Sequence, residues 1–239
     1  MIYLIYLFFG LAPSIVWLLF FLRKDAHPES NRMVLRIFLY GVLIALPALF
    51  VEIGLSQTFS KIPLSKSIIA ILNIFLGVAF IEEFFKYLVV REKVLKDPEL
   101  DEPIDLILYM IISALGFAAV ENILVLFLLE KPFLIGEVSF ITAFRFVGAT
   151  FLHALSSGTL GYFLIRYFSR ASKKTLISGF LLATLLHGFF NFSIIMADEG
   201  KITKEAGFFL IALLLIFWAG FLNISFKKVK KLPSVCYIK

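Results

Sequence analysis

Cysteine is almost absent from this chain. Its 239 residues include one cysteine, Cys236, which excludes internal disulfides and any CxxC redox or metal site. Charged residues are also scarce, because they make up 17% of the chain against about a quarter in an ordinary soluble domain. A chain that is 61% hydrophobic would expose much apolar surface to water. The composition therefore argues against a soluble protein.

Apolar runs of about 20 residues, long enough to cross a bilayer as a helix, recur along the whole sequence. They predict an all-α, polytopic transmembrane helical bundle with about seven spans. The expected spans are roughly residues 2–22, 35–55, 67–90, 104–129, 139–167, 175–196 and 207–226. The first lacks the basic start and the cleavage site of a signal peptide, so we expect it to be retained. With no soluble domain or multi-helix repeat visible, residues 1–239 are expected to form one domain.

Lysine and arginine concentrate in alternate loops. Arg23 and Lys24 follow the first span, Arg91 and Lys93 follow the third, and the tail after the seventh is rich in lysine. The positive-inside rule predicts an N-terminus outside and a C-terminus in the cytoplasm of a multi-pass cell-membrane protein. The net charge of +6 is thus a topology signal. No nucleic-acid partner is expected, because the longest loop is too short to form a basic folded face.

The spans contain polar residues that a lipid-facing helix would lack. A charged side chain at a helix centre costs roughly 2.5–3.5 kcal/mol on insertion-derived scales, so these residues must face the bundle interior and one another. The set comprises Glu82, Glu83 and Lys86 on the third span, Glu121 and Asn122 on the fourth, Arg145, His153 and Ser157 on the fifth, and His187 and Asn191 on the sixth.

Their spacing predicts one shared site. The pairs Glu82–Lys86, Phe117–Glu121, His153–Ser157 and His187–Asn191 each lie four residues apart, so that each pair shares one face of its helix. Small residues from Ser113 to Ala119 suit a central fourth helix that carries Glu121 inward. Arg145 is the exception in this set, because it falls near the outer boundary, as Glu52 does, and we interpret both as side chains that reach for water.

The residue types alone leave the chemistry open. Buried Glu, His and Lys could activate water in a hydrolase, or form the proton relay of a proton-coupled transporter. Two histidines and a Glu could also hold Zn²⁺, with Glu82, Glu121, His153 and His187 as candidate ligands. Against zinc, the H-E-x-x-H helix of zinc proteases is absent. Ser157 lacks a nucleophile elbow and is interpreted as a supporting hydroxyl.

Four short motifs in order on four successive spans resemble the PrsW family of intramembrane proteases, which is related to the CAAX prenyl endoproteases. They are Glu82-Glu83-x-x-Lys86, Phe117-x-x-x-Glu121-Asn122, His153-x-x-x-Ser157 and His187-x-x-x-Asn191. The loop from Asp25 to Ser30 also resembles the family's Asp-x-x-Pro-Glu-Pro segment, with Ser30 in place of the last Pro. The CAAX enzymes usually have Arg five residues after the first Glu, and His where Glu121 stands. Lys86 and Glu121 therefore indicate the PrsW branch.

The resemblance implies peptide-bond hydrolysis in or beside the membrane by activated water. It implies Glu82 as the general base, with Glu83 sharing its proton or orienting the water. The expected substrate is a single-span, membrane-anchored protein, for which an anti-sigma factor is the family's example. A catalytically inactive relative that acts as a scaffold is the remaining alternative, and the intact motif set argues against it.

The chemistry of hydrolysis, which needs a base, a proton donor and donors for the oxyanion, suggests roles for the remaining motif residues. Lys86 is expected to keep one carboxylate ionised, while His153 and His187 position water and protonate the leaving amine. Asn191 is expected to donate to the oxyanion. Glu121 is expected to orient a histidine or to complete a metal site, and Asn122 to support it.

Overall fold

The computed structural model describes residues 2–25, 27–128 and 135–232. This part of the chain contains seven helices that are long and apolar enough to cross a membrane. They are α1 (Ile2–Leu22), α2 (Asn31–Phe59), α3 (Lys66–Lys93), α4 (Pro103–Phe127), α5 (Ile135–Arg145, Phe146–Thr150 and Phe151–Arg170 in succession), α6 (Lys173–Asp198) and α7 (Lys204–Val229). The all-α prediction and the count of seven spans are confirmed.

Several helices begin at a polar cap outside the apolar run, and for this reason they are longer than the predicted spans. Ser30 accepts a hydrogen bond from the backbone N–H of Met33 at 3.1 Å, so α2 begins four residues before the expected boundary. A capping box between Glu102 and Asp105, with Pro103 in the first turn, begins α4. Asp105 thus lies in the first turn of α4.

Two helices contain a π-helical segment within the membrane. In α3 this segment is Asn73–Phe80, and in α5 it is Phe146–Thr150. A π-helical turn holds more residues than an α-helical turn and changes the direction in which later side chains point. Glu82 follows the first segment by two residues, and His153 follows the second by three. The apolar pattern of the sequence contains no signal for either segment.

Helix α4 lies at the centre of the bundle. Within its most apolar stretch 67% of the residues are buried, whereas the value for the other six helices is at most 39%. It packs against α1, α2, α3 and α5. The prediction that a helix rich in small residues occupies the middle of the bundle is confirmed.

Two glycines allow α2 and α4 to pack with their backbones in contact. A Cβ atom added to Gly41 would lie 2.2 Å from the carbonyl oxygen of Ser113. A Cβ added to Gly116 would lie 2.1 Å from the carbonyl oxygen of Phe38. Both separations are far below van der Waals contact, so these positions require glycine. The close approach holds α2 against the helix that carries Glu121.

The loop that resembles the family's acidic segment packs against the start of α4. One carboxylate oxygen from each of Asp25, Glu29 and Asp105 lies within 4.8 Å of the others. The Tyr109 hydroxyl donates a hydrogen bond to Glu29, and burial raises the pKa of the Glu29 carboxyl above its ordinary value. This acidic cluster fixes the loop between α1 and α2 on the side of the bundle where α4 begins.

Candidate active site

The charged residues of α3 meet polar residues of three other helices inside the bundle. Glu82, Glu83 and Lys86 are buried on α3, and His153 on α5 and His187 on α6 are buried beside them. Glu121 on α4 is the accessible member of this cluster, with 29% of its side chain exposed. The structure therefore brings together the residues that the sequence proposes as catalytic, in one cluster whose most exposed member is Glu121.

Lys86 lies at the centre of this cluster. Its ammonium nitrogen, Nζ, is 3.1 Å from Glu82 Oε2, 2.9 Å from Glu83 Oε1 and 2.7 Å from His153 Nδ1. It also lies 4.6 Å from the centre of the Phe117 ring, close enough for a cation–π contact. A buried ammonium needs such compensation, because desolvation without a partner would cost several kcal/mol.

Glu83 is saturated with hydrogen-bond donors. Its Oε1 accepts from Lys86, from the Ser156 hydroxyl at 2.9 Å and from His187 Nδ1 at 3.1 Å. Its Oε2 accepts from the Ser157 hydroxyl at 2.6 Å. Four donors around one carboxylate stabilise its ionised form and fix its orientation. Glu83 is therefore held in place by the site.

Glu82 has different surroundings. Among the described residues its one hydrogen-bond partner is Lys86, which contacts Oε2. The same oxygen lies 3.6 Å from His153 Nδ1 and 3.8 Å from His187 Nε2. Both imidazoles thus face a carboxylate that retains free acceptor positions.

The hydrogen bonds determine which nitrogen of each histidine carries the proton. An ammonium group can only donate, so His153 Nδ1 accepts from Lys86, and His153 Nε2–H donates to Glu121 Oε2 at 2.6 Å. His187 Nδ1–H donates to Glu83, which leaves the lone pair of Nε2 directed towards Glu82. Glu121 and Glu83 therefore orient the two rings, a role that carboxylates commonly have around histidine ligands and bases.

Three of these residues could hold a metal ion. Ligand atoms of Glu82, His153 and His187 all lie within 4.8 Å of one another. The carboxylate-to-imidazole separations of 3.6 and 3.8 Å are near the spacing of about 3.3 Å between ligand atoms of tetrahedral Zn²⁺. The set fits a two-histidine, one-carboxylate zinc site once Lys86 releases His153 Nδ1. Glu121, a further candidate ligand from the sequence, bonds the opposite nitrogen of His153 and is not in this group.

The supporting residues divide into two sets. Ser157 contacts Glu83, as a supporting hydroxyl should. Asn122 faces away from α3, since its amide donates to the Thr150 hydroxyl at 3.0 Å and to the Gly10 carbonyl at 3.3 Å. Asn191 is half-buried on α6 and makes no hydrogen bond to the cluster within the described residues. The spacing places His187 and Asn191 on one face, but the second residue lies a full turn further along.

Arg145 belongs to the site, and its interpretation as a boundary side chain reaching for water is wrong. Its guanidinium donates from Nε to Asn122 Oδ1 at 2.5 Å and lies 3.8 Å from Glu121 Oε2. It therefore ties the two neighbouring polar residues of α4 to α5. Its position inside an apolar span was the available sequence signal, because an unpaired Arg there would be costly.

Two further residues were missed or placed differently by sequence reasoning. Ser156, one position before Ser157, donates to Glu83, and only its neighbourhood in the chain pointed to it. Glu52 on α2 is half-buried and lies within electrostatic range of Glu121 and Lys86. The sequence interpretation as a boundary residue did not anticipate this proximity to the cluster.

The fold and the site together define a polytopic membrane protein with a buried acid–base centre built from four spans. The sequence matches a family model described as PrsW family intramembrane metalloprotease over residues 29–221. The chain belongs to this family, and it is a membrane peptidase. The family resemblance of the four motifs is confirmed, and the peptidase prediction is favoured over a transporter or an inactive scaffold.

Several relatives named protease PrsW are similar to most of the chain. The relative from Oceanobacillus iheyensis is 33% identical over 77% of this chain and 80% of its own length. The relative from Geobacillus kaustophilus is 33% identical over 93% of this chain and 89% of its own length. The relative from Bacillus subtilis is 30% identical over 95% of this chain and 94% of its own length. No solved structure matches the chain.

Proposed function

We propose that this protein is an intramembrane endopeptidase of the cell membrane, and that Glu82 activates the water that hydrolyses a peptide bond of a membrane-anchored protein. The proposal is supported by the position of Glu82, a buried carboxylate with free acceptor positions that faces two imidazoles. Glu83 is the poorer candidate for the base, because both of its oxygens already accept hydrogen bonds.

The surrounding groups supply the rest of the reaction. Glu82 takes a proton from water, the water oxygen bonds the carbonyl carbon, and the negative charge moves to the carbonyl oxygen. When the C–N bond breaks, the proton passes from Glu82 to the leaving amine by way of the neighbouring imidazole of His187. Asn191 lacks a hydrogen bond to the cluster in the described part of the chain, so we assign stabilisation of the oxyanion to Lys86. Once Glu82 has taken the proton of water, the N–H that Lys86 donated to Glu82 becomes free to turn to the oxyanion.

The same cluster would hold the metal that the family description implies. Glu82, His153 and His187 would be its ligands, with Glu82 contributing Oε2, the oxygen beside both imidazoles, so that Oε1 would be left to take the proton of water. Glu121 and Glu83 would hold the two imidazoles in the required tautomers. When bound, Zn²⁺ supplies a polarised water and a Lewis acid for the carbonyl oxygen.

The proposed substrate is a single-span protein. A cluster buried among membrane helices is reached most directly by a chain that is itself in the bilayer. An anti-sigma factor is one example of such a substrate, by resemblance to the family.

Cleavage in proteoliposomes tests the proposal. Purified protein is reconstituted with a panel of single-span reporter proteins, and product formation is followed with and without a chelator and added Zn²⁺. The variant Glu82→Gln should lower the cleavage rate about 10²–10⁴-fold, the usual contribution of a general base. Glu92→Gln, an exposed position on the same helix, is the matched control and should leave the rate unchanged. Wild-type turnover by Glu82→Gln would refute the assignment, and solute or proton flux without proteolysis would refute the peptidase proposal.

A further inference from the structure

A second concave site lies on the far side of the bundle from the catalytic residues. It is a groove between α1, α5 and α7 with a volume of about 420 Å³. We call it the aromatic groove. Its walls are mostly aromatic and aliphatic, and Lys24 and Asn223 are the polar members. The lining includes Trp17, Phe20, Phe146, Phe151, Leu222 and Phe226.

The groove is built around Trp17. The indole stacks on Phe151, with ring centres 4.2 Å apart, and on Phe146, with ring centres 5.2 Å apart. Its N–H donates to the Phe146 carbonyl at 2.8 Å, within the π-helical segment of α5. These contacts fix the ring, so that the groove is a preformed surface.

The aromatic groove is separate from the catalytic pocket. Phe151 and Leu155 line it from α5, and they stand one turn apart on the same face of that helix. His153 lies between them in the chain, so it points to the opposite face, where it contacts Lys86 and Glu121. The groove is therefore not a path to the site, and it needs an occupant of its own.

One end of the groove carries positive charge. Lys24 lines the groove itself, with its ammonium 4.9 Å from the centre of the Phe20 ring. Arg23 adjoins Lys24 in the chain, and Lys227 and Lys228 lie in the last turn of α7. Among the described residues none of these four cations has a carboxylate partner within 4.0 Å. Lys230 lines a separate cavity with Asp25 and Glu102, so its charge is not assigned to the groove.

We propose that the aromatic groove is a binding site for an anionic phospholipid, whose acyl chain lies against Trp17 and whose headgroup pairs with Lys24. The charge at the end of the groove selects this occupant. Acyl chains are equally apolar in every phospholipid, so burial of the chain cannot distinguish headgroups. A basic residue near a membrane surface favours an anionic headgroup by roughly fivefold, and Lys24 is the cation that lines the groove itself.

The two tryptophans of the chain make this testable by fluorescence. Trp218 donates to Thr159 elsewhere in the bundle, so Trp218→Phe leaves Trp17 as the fluorescent probe of the groove. The Trp218→Phe protein is reconstituted into nanodiscs that contain increasing fractions of phosphatidylglycerol or phosphatidylcholine with brominated acyl chains, which quench a tryptophan on contact. We expect Trp17 to be quenched at about fivefold lower fractions of phosphatidylglycerol than of phosphatidylcholine.

Charge variants distinguish a site from general attraction. In the same background, Lys24→Gln should remove most of the preference for phosphatidylglycerol, and Lys24→Glu should abolish it. Lys173→Gln, an exposed lysine at the start of α6 and outside the groove, should retain the full preference. Equal quenching by the two lipids, an unchanged preference in Lys24→Glu, or no quenching by either lipid would each overturn the proposal. The last result would mean that protein, and not lipid, covers the groove.

Discussion

Glu82 and Glu83 are adjacent in the chain, but their carboxylates have opposite surroundings. Glu83 accepts from two serines, a lysine and a histidine, whereas Glu82 accepts from Lys86 alone among the described residues. This contrast separates the two roles that a pair of acids can have, one as the reacting group and one as the support. We therefore expect different effects from Glu82→Gln and from Glu83→Gln.

Glu83→Gln should destabilise the protein more than Glu82→Gln. Each substitution breaks one buried ion pair and leaves Lys86 with one carboxylate. Removing the charge at position 83 also weakens three further hydrogen bonds, from Ser156, Ser157 and His187. Thermal unfolding in detergent measures both variants. A lower midpoint for Glu82→Gln than for Glu83→Gln would contradict the assigned roles.

Glu121 is expected to act by positioning His153. Glu121→Ala removes the acceptor of His153 Nε2–H and should lower kcat about 10–100-fold, the usual effect of losing a partner that orients a histidine. Glu121→Gln retains an amide acceptor and should recover part of that loss. Kinetics on a cleaved reporter separate kcat from KM. If both variants lost activity equally, the charge of Glu121 and not its hydrogen bond would be the important property.

At the scale of single residues, the sequence predicted most of the residues that form the site but not the contacts that they make. Buried charges in apolar spans indicated Glu82, Glu83, Lys86, His153 and His187, because such residues are too costly to keep without partners. Which partner each one has depends on rotamers and on helix rotation, which spacing does not determine. For that reason Arg145 was interpreted as a boundary residue and Asn191 was placed beside the oxyanion.

At the scale of the helices, two features position the site. The π-helical segments of α3 and α5 come directly before Glu82 and His153, and they set the direction in which these side chains point. The close approach of α2 and α4 holds the helix of Glu121 in the centre of the bundle. The small residues of α4 made its close packing predictable. The π-helical segments were not predictable, because their residues are as apolar as the rest of the spans.

Alanine substitutions of glycine should test the packing of α2 against α4. A methyl group at Gly116 would meet the Phe38 carbonyl at 2.1 Å, so Gly116→Ala should destabilise the bundle by about 1–3 kcal/mol and lower peptidase activity. Gly54, which lies on α2, has no neighbour within 4 Å of an added Cβ, so Gly54→Ala is the matched control. Unfolding midpoints report the difference. Equal stability of the two variants would show that the two backbones are not in contact.

At the scale of the whole molecule, the number of spans follows from hydropathy, but the orientation is still a prediction. The distribution of Lys and Arg places the C-terminus in the cytoplasm. Seven spans then place the N-terminus outside, together with the end of α4 that carries Glu121. Glu121 would accordingly lie nearer to the outer face than to the cytoplasm, and the basic end of the aromatic groove would face the cytoplasmic leaflet.

The natural cysteine provides a probe of this orientation. Cys236, the one cysteine of the chain, should be labelled by a membrane-impermeant maleimide only after cells are opened. In a Cys236→Ser background, Gly200→Cys, in the loop between α6 and α7, should be labelled on intact cells. Labelling of Cys236 on intact cells would reverse the orientation and place Glu121 nearer to the cytoplasmic side.

The central claim is that Glu82 directs water to a peptide bond inside the bundle, and cleavage in ¹⁸O-labelled water tests it most directly. Mass spectrometry of the products of a single-span reporter should show one ¹⁸O in the new carboxyl terminus with the wild-type protein, and no product above background with Glu82→Gln. A product without the label, or labelled product formed by Glu82→Gln at the wild-type rate, would contradict it.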